Sequence, residues 1–162
     1  IRIAVIGCGG RGTGAAAQAL RADYNAKLVA MADAFDTQIE SSIKNLSTQF
    51  PDRVDVKPDK KFTGLDAYKK LIDCGVDVVL LATPPGFRPY HFEAAVNAGK
   101  NIFMEKPVAV DAPGVRKVLE MAKIADEKNL KVVCGLQRRY QNCYREALTQ
   151  VKENGVIGDI TG

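Results

Sequence analysis

Short apolar runs alternate with amphipathic stretches along the whole chain, and this alternation restricts the fold more than any other feature. The runs at 3–6, 27–32, 77–82, 101–104 and 131–134 are the length of strands and, past a polar first residue in all but the first, apolar, the pattern of strands buried on both faces. Between them, 12–22, 36–50, 65–73, 89–98 and 112–129 carry helix formers at 3.6-residue spacing, with Gly75 and Gly99 placed as C-terminal stops. Strand and helix repeating with short links predict an α/β fold: a doubly wound, mostly parallel sheet with right-handed crossovers and helices on both faces. The stretch 51–64 breaks the pattern with Pro and charged residues and leaves at most a short edge strand around 57–62. A last helix is predicted over 144–154, followed by Gly155 and Gly158. Residues 1–155 are therefore expected to form one domain, and 156–162 to begin the connection to a further one.

A chain of 162 residues can bury one core without disulfides or metals. Its 46% hydrophobic and 26% charged composition is that of a globular protein and argues against disorder. The net charge of +4 is a mild excess that helps attract an anionic ligand and names no partner. The basic stretches 57–61 and 138–145 are diluted by Pro, Asp, Tyr and Glu and read as solvated faces, so no nucleic-acid partner is expected. Cys8, Cys74, Cys134 and Cys143 form no C-x-x-C pair and have no His beside them. Free thiols and no metal site are expected. No apolar run approaches the ~20 residues of a membrane helix and no signal-peptide pattern is present, so no membrane partner is expected. The chain begins without Met. A cytoplasmic location is expected, with an exported protein relieved of its leader as the alternative.

The first strand runs directly into Gly7-Cys8-Gly9-Gly10-Arg11-Gly12, a G-x-G-x-x-G set at the mouth of a helix. Gly7 allows the tight turn, Gly9 leaves room for a pyrophosphate, and Gly12 lets helix and strand pack closely. The unpaired N–H groups of the helix start, Gly10 and Arg11 included, form an anion site, and Arg11 can add its charge. Asp33 ends the second strand, 26 positions after Gly7, where an acid accepts from both adenosine ribose hydroxyls and repels a 2′-phosphate. Residues 34–37 supply no Arg to welcome that phosphate. NAD is predicted over NADP, the competing reading of Asp33 being a surface strand-end or capping residue.

The third and fourth strand ends add candidates. Ala82-Thr83-Pro84-Pro85 breaks a buried strand at the carboxyl edge of the sheet, where ligands of such folds bind. Thr83 and the Pro84 backbone are placed to line the crevice, or else the prolines merely start a rigid loop. His91, the sole histidine, falls in the first turn of the next helix and is a candidate neighbour of the cofactor rather than a base. Glu105-Lys106-Pro107 ends the fourth strand. A lysine there faces the crevice, where its amine can hydrogen-bond a substrate hydroxyl and assist proton transfer. On the residues alone, Glu105 and Lys106 read equally as a strand-end ion pair.

In order along the chain, Gly7 to Gly12, Ala82 to Pro85, Ala98-Gly99-Lys100 running into Glu105-Lys106-Pro107, and Gly135-Leu136-Gln137-Arg138-Arg139-Tyr140 resemble the N-terminal domain of the glucose-fructose oxidoreductase and inositol dehydrogenase (Gfo/Idh/MocA) family. The resemblance implies a Rossmann domain followed by an α/β substrate domain with a large open sheet, which supplies the homo-oligomer interface. It implies that Lys106 is the catalytic lysine near the nicotinamide and the substrate hydroxyl. Glu105 and Pro107 shape the cofactor loop, Pro107 after a cis peptide, and Arg138 lies near the nicotinamide or substrate. Asn142-Cys143 departs from the proline expected near position 142 in such sequences. The implied activity is NAD-dependent oxidation and reduction of a sugar, polyol or related hydroxy compound, with this domain alone nearly inactive. The alternatives are a glycosidase using NAD in a transient redox cycle and a non-catalytic NAD-binding sensor.

Overall fold

The computed structural model describes residues 1–159 and 161. In chain order the elements are β1 (Arg2–Ile6), α1 (Gly10–Ala22), β2 (Lys27–Asp33), α2 (Asp36–Gln49), β3 (Lys61–Thr63), α3 (Ala67–Asp73), β4 (Val78–Leu81), α4 (Arg88–Asn97), β5 (Asn101–Met104), α5 (Ala112–Glu127), β6 (Val132–Cys134), α6 (Gln137–Tyr140) and α7 (Asn142–Lys152). The strands form one sheet in the order β3-β2-β1-β4-β5-β6, and its five pairings are all parallel.

The period of two along β1 divides the core. Ile3 and Val5 point to one face, where Ala15, Ala16 and Leu20 of α1 and Ile39 and Leu46 of α2 cover them together with Leu28 and Met31 of β2. Ala4 and Ile6 point to the other, packed with Leu71 of α3, Phe92 and Val96 of α4, and Val118 and Met121 of α5. Both faces are thereby dry, which is why the strands read as continuous apolar runs. β1 pairs with β2 on one side and β4 on the other. Strand order reverses there, and the helices after β1 and β4 leave to opposite faces and open a crevice at the carboxyl edge.

Several boundaries differ from expectation for local reasons. In place of an edge strand over 57–62, a single parallel bridge joins Leu28 to Val54, a 3-10 turn occupies Pro58–Lys60, and pairing resumes only with β3. Pro58 has no N–H to give a ladder. α3 begins two residues late because Gly64, at φ +113°, turns the chain and accepts from the Ala67 N–H. α5 stops at Glu127, short of Asn129, which takes a left-handed φ of 54°. The single turn α6 was not anticipated, and α7 begins two residues earlier than predicted with none of its residues buried. Of the connecting segment expected over 156–162, residues 156–159 form no helix or strand, and positions 160 and 162 lie outside the described residues.

Candidate cofactor site

The sheet aligns the loops that leave its carboxyl edge. The Gly7 N–H donates to the Ala32 carbonyl at 2.8 Å, Ala82 N–H to Ile6 at 2.9 Å, Glu105 N–H to Leu81 at 3.0 Å and Gly135 N–H to Met104 at 2.8 Å. Each loop is thus pinned to its neighbouring strand one residue beyond the ladder. Four of the sequence segments singled out above are brought side by side in this way.

The three glycines of the motif meet three different demands. Gly7 sits at φ +92°, and a Cβ there would lie 2.7 Å from the Thr83 nitrogen. A Cβ on Gly12 would lie 1.7 Å from the Gly7 carbonyl oxygen, so loop and helix close on each other only through glycine. At Gly9 a Cβ would meet nothing within 4 Å. That open space lies over the start of α1, whose N-cap is Gly9 and whose first-turn N–H groups receive no side-chain cap. The cradle offers backbone donors and a partial positive charge to an anion.

Asp33 stands on one side of this cradle. One carboxylate oxygen accepts the Cys8 N–H at 2.6 Å and the other the Phe35 N–H at 3.0 Å. The side chain therefore braces the glycine loop at a position that lines the cleft. Burial, and secondarily the Asp33 carboxylate, push the Cys8 thiol well above the usual range, which leaves it protonated and inert.

A cleft of about 630 Å³ runs past these groups. Gly7, Gly9, Gly10 and Asp33 line one part of it and Ala82, Thr83, Pro84 and His91 another. His91 is buried; its Nδ1 shares a hydrogen bond with Thr83 Oγ1 at 3.1 Å, and its ring lies 4.3 Å from that of Tyr68. Burial, then the nearby Arg88 guanidinium, bring its pKa down to about 4, so at neutral pH it is an uncharged wall rather than an acid. Phe35, Leu65 and Tyr68 complete the apolar wall beyond Asp33.

Arg11, Pro85, Glu105 and Lys106 line an adjoining hollow of about 360 Å³ that shares Ala82, Thr83 and Pro84 with the cleft. Arg11 turns away from the cradle: its Nε donates to Glu105 Oε1 at 2.7 Å, and its terminal nitrogen closes an ion pair with the same oxygen. The strand-end ion pair read for Glu105 with Lys106 is accordingly made by Glu105 with Arg11, because Glu105 points inward and Lys106 outward. Glu105 is 5% exposed and lies so close to Gly135 that a Cβ there would be 2.9 Å from Glu105 Oε1. Lys106 is exposed and has no ion pair among the described residues. Its peptide bond to Pro107 is cis. Arg138 does not reach the main cleft. It lines a third hollow with Lys106, its guanidinium 5.5 Å from the Tyr144 ring centre. Sequence reasoning missed Arg88, buried beneath the site. A cation at a helix start is disfavoured by the helix dipole, and that misfit was the available signal.

A glycine cradle at a helix start, an acid closing β2 and a crevice at the reversal of strand order define a dinucleotide-binding domain of the Rossmann class. Residues 1–136 match the sequence pattern described as "Oxidoreductase family, NAD-binding Rossmann fold" (GFO_IDH_MocA), and the chain belongs to that family. It is 29% identical over 160 residues to the inositol 2-dehydrogenase of Rhizobium meliloti, covering 99% of this chain and 43% of the relative. With the scyllo-inositol 2-dehydrogenase (NAD(+)) of Bacillus subtilis it shares 30% identity over 98% of this chain and 42% of the relative. Among solved structures it resembles myo-inositol 2-dehydrogenase from Lactobacillus plantarum, with a TM-score of 0.77, 32% identity, and coverage of 99% of this chain and 43% of that one. Scyllo-inositol dehydrogenase from Lactobacillus casei, solved with bound NAD(H) and scyllo-inositol, aligns with a TM-score of 0.75 at 28% identity over 99% of this chain and 43% of that one. The chain spans less than half the length of the relatives it matches.

Proposed function

We propose that this domain holds NAD, in preference to NADP, in an oxidoreductase that acts on a secondary hydroxyl of a polyol or sugar. The observation that carries the reading is the Asp33 carboxylate, braced by the Cys8 N–H at 2.6 Å beside a glycine cradle that has room for a diphosphate at Gly9. Fixed there, it accepts from ribose hydroxyls and repels a 2′-phosphate. Gly7, Gly9, Gly10 and Gly12 shape the diphosphate seat, and Arg11 bounds it through its pairing with Glu105. Ala82 to Pro85 and His91 form the wall on the β4 side, against which the nicotinamide would lie in this reading. Bound NAD supplies a two-electron acceptor.

Lys106 Nζ, exposed beside that wall, donates to the substrate oxygen and steadies the negative charge that grows there as the hydroxyl proton leaves to a base. With NAD bound, the carbinol C–H bond would break with its electron pair passing to that acceptor, leaving a ketone. Glu105 and Pro107 fix the loop that carries the lysine, and Arg138 bounds the substrate side. Residues 1–155 constitute the cofactor domain, and 156–162 lead toward an α/β domain that completes the substrate pocket and the homo-oligomer contacts. The activity of the inositol dehydrogenases it matches supports a cyclic polyol or sugar as substrate.

Fluorescence titration of this chain with NADH and NADPH at equal ionic strength tests the cofactor reading. NADH is expected to bind at least about tenfold tighter, and Asp33→Asn to narrow the gap. Equal affinities before mutation would remove the role given to Asp33.

A further inference from the structure

Beyond the last ladder bond between β4 and β5, Glu105 N–H to the Leu81 carbonyl, the side chain of Arg88 hydrogen-bonds to both of the loops that follow. Arg88, 2% exposed at the start of α4, donates through one terminal nitrogen to the Thr83 carbonyl and through the other to the Pro107 carbonyl. Its Nε is buried with no hydrogen-bond partner among the described residues. Desolvation lowers its pKa, with Glu105 opposing. A buried cation with an unfilled donor at the wrong end of a helix dipole is a poor way to stabilise a fold. A planar fork spanning two carbonyls does, however, set their separation in a way that a lysine or an apolar side chain cannot. Both carbonyls belong to the site: Thr83 lines the cleft and bonds His91, and Pro107 follows Lys106.

We infer that Arg88 is a positioning residue, fixing the β4-side floor of the cleft and the Lys106 loop as one unit by clamping the Thr83 and Pro107 carbonyls. The inference rests on the cofactor reading above, because that floor is where the nicotinamide half would lie. It predicts that Arg88 governs only the part of cofactor affinity contributed by that half.

The test compares NADH with ADP-ribose, which keeps the adenosine and diphosphate and lacks the nicotinamide. In the unsubstituted 162-residue chain NADH should bind tighter than ADP-ribose. In Arg88→Met that advantage should vanish, with NADH weakened roughly tenfold and ADP-ribose within about twofold. Arg88→Lys retains charge and length but holds one carbonyl at a time. It should give an intermediate NADH affinity, and it carries the test alone if the Met variant does not fold. Equal losses for both ligands would reduce Arg88 to a general stabiliser, and no loss for either would leave it idle; both results overturn the inference, as does a native chain that binds the two ligands alike. Failure of both NADH and ADP-ribose to bind the native chain would instead overturn the cofactor reading itself, and this inference with it.

Discussion

Gly9 and Gly12 belong to one motif yet answer to opposite constraints. Gly12→Ala would drive a Cβ to 1.7 Å from the Gly7 oxygen. It should cost more than about 3 kcal/mol in a urea melt, since backbone rather than a flexible side chain must yield. Gly9→Ala meets no atom within 4 Å and should leave stability within about 0.5 kcal/mol. NADH binding should nevertheless weaken about tenfold or more, because the methyl occupies the diphosphate seat. His91 offers a pH prediction. Its folded pKa of about 4 lies below the ordinary 6.5, so between these values the unfolded chain binds a proton that the folded chain does not. Stability therefore rises with pH across that window. Acidification from pH 7 to pH 4 should cost roughly 3 kcal/mol through this group, and His91→Gln should flatten that part of the slope. The glycine spacing was legible in sequence because backbone geometry dictates the residue type at Gly7 and Gly12, whereas the residues alone left Glu105 and Lys106 open. Arg88 and the Arg11–Glu105 pair were not legible, because Arg11 and Glu105 lie 94 residues apart and only the sheet brings them together.

Among the helices, α5 is set by local chemistry. Asp111 caps it by accepting the Gly114 N–H at 2.8 Å, with a proline just inside the start. Asp111→Ala should lower stability by about 1 kcal/mol in chemical denaturation, and Asp111→Asn should restore most of it. α1 has no such side chain and begins on Gly9. An uncapped start costs stability, and its compensation is a set of donors left free for a ligand. The strands were legible because burial on both faces makes them short apolar runs. β3 was displaced from its expected position, because a three-residue edge strand carries too little apolar pattern to be separated from the turn at Pro58. α6 escaped notice because one helical turn has no period to detect.

Across the chain, packing ends with β6. α7 has no buried residue and packs against α6, although Tyr144 and Leu148 are exposed apolar groups on it. A chain ending at Gln141 should melt within about 3 °C of the 162-residue chain and bind NADH equally well, as thermal scans and titration would show; a large fall in Tm would give α7 a part in the core. The parallel α/β class followed from the alternation of strand and helix patterns, because hydrophobic periodicity is a local record of which faces are dry. The glycine cradle followed from the sequence for a similar reason: a Cβ at Gly7 would lie 2.7 Å from the Thr83 nitrogen and one at Gly12 1.7 Å from the Gly7 carbonyl oxygen, so neither position has room for a side chain. Long-range assembly alone produced the order of strands that sets Asp33 and Thr83 along one cleft. It also paired Glu105 with Arg11 rather than Lys106 and buried Arg88 beneath two loops. Those relations depend on distances between segments remote in the chain, and the residues at either end carry no mark of their partners.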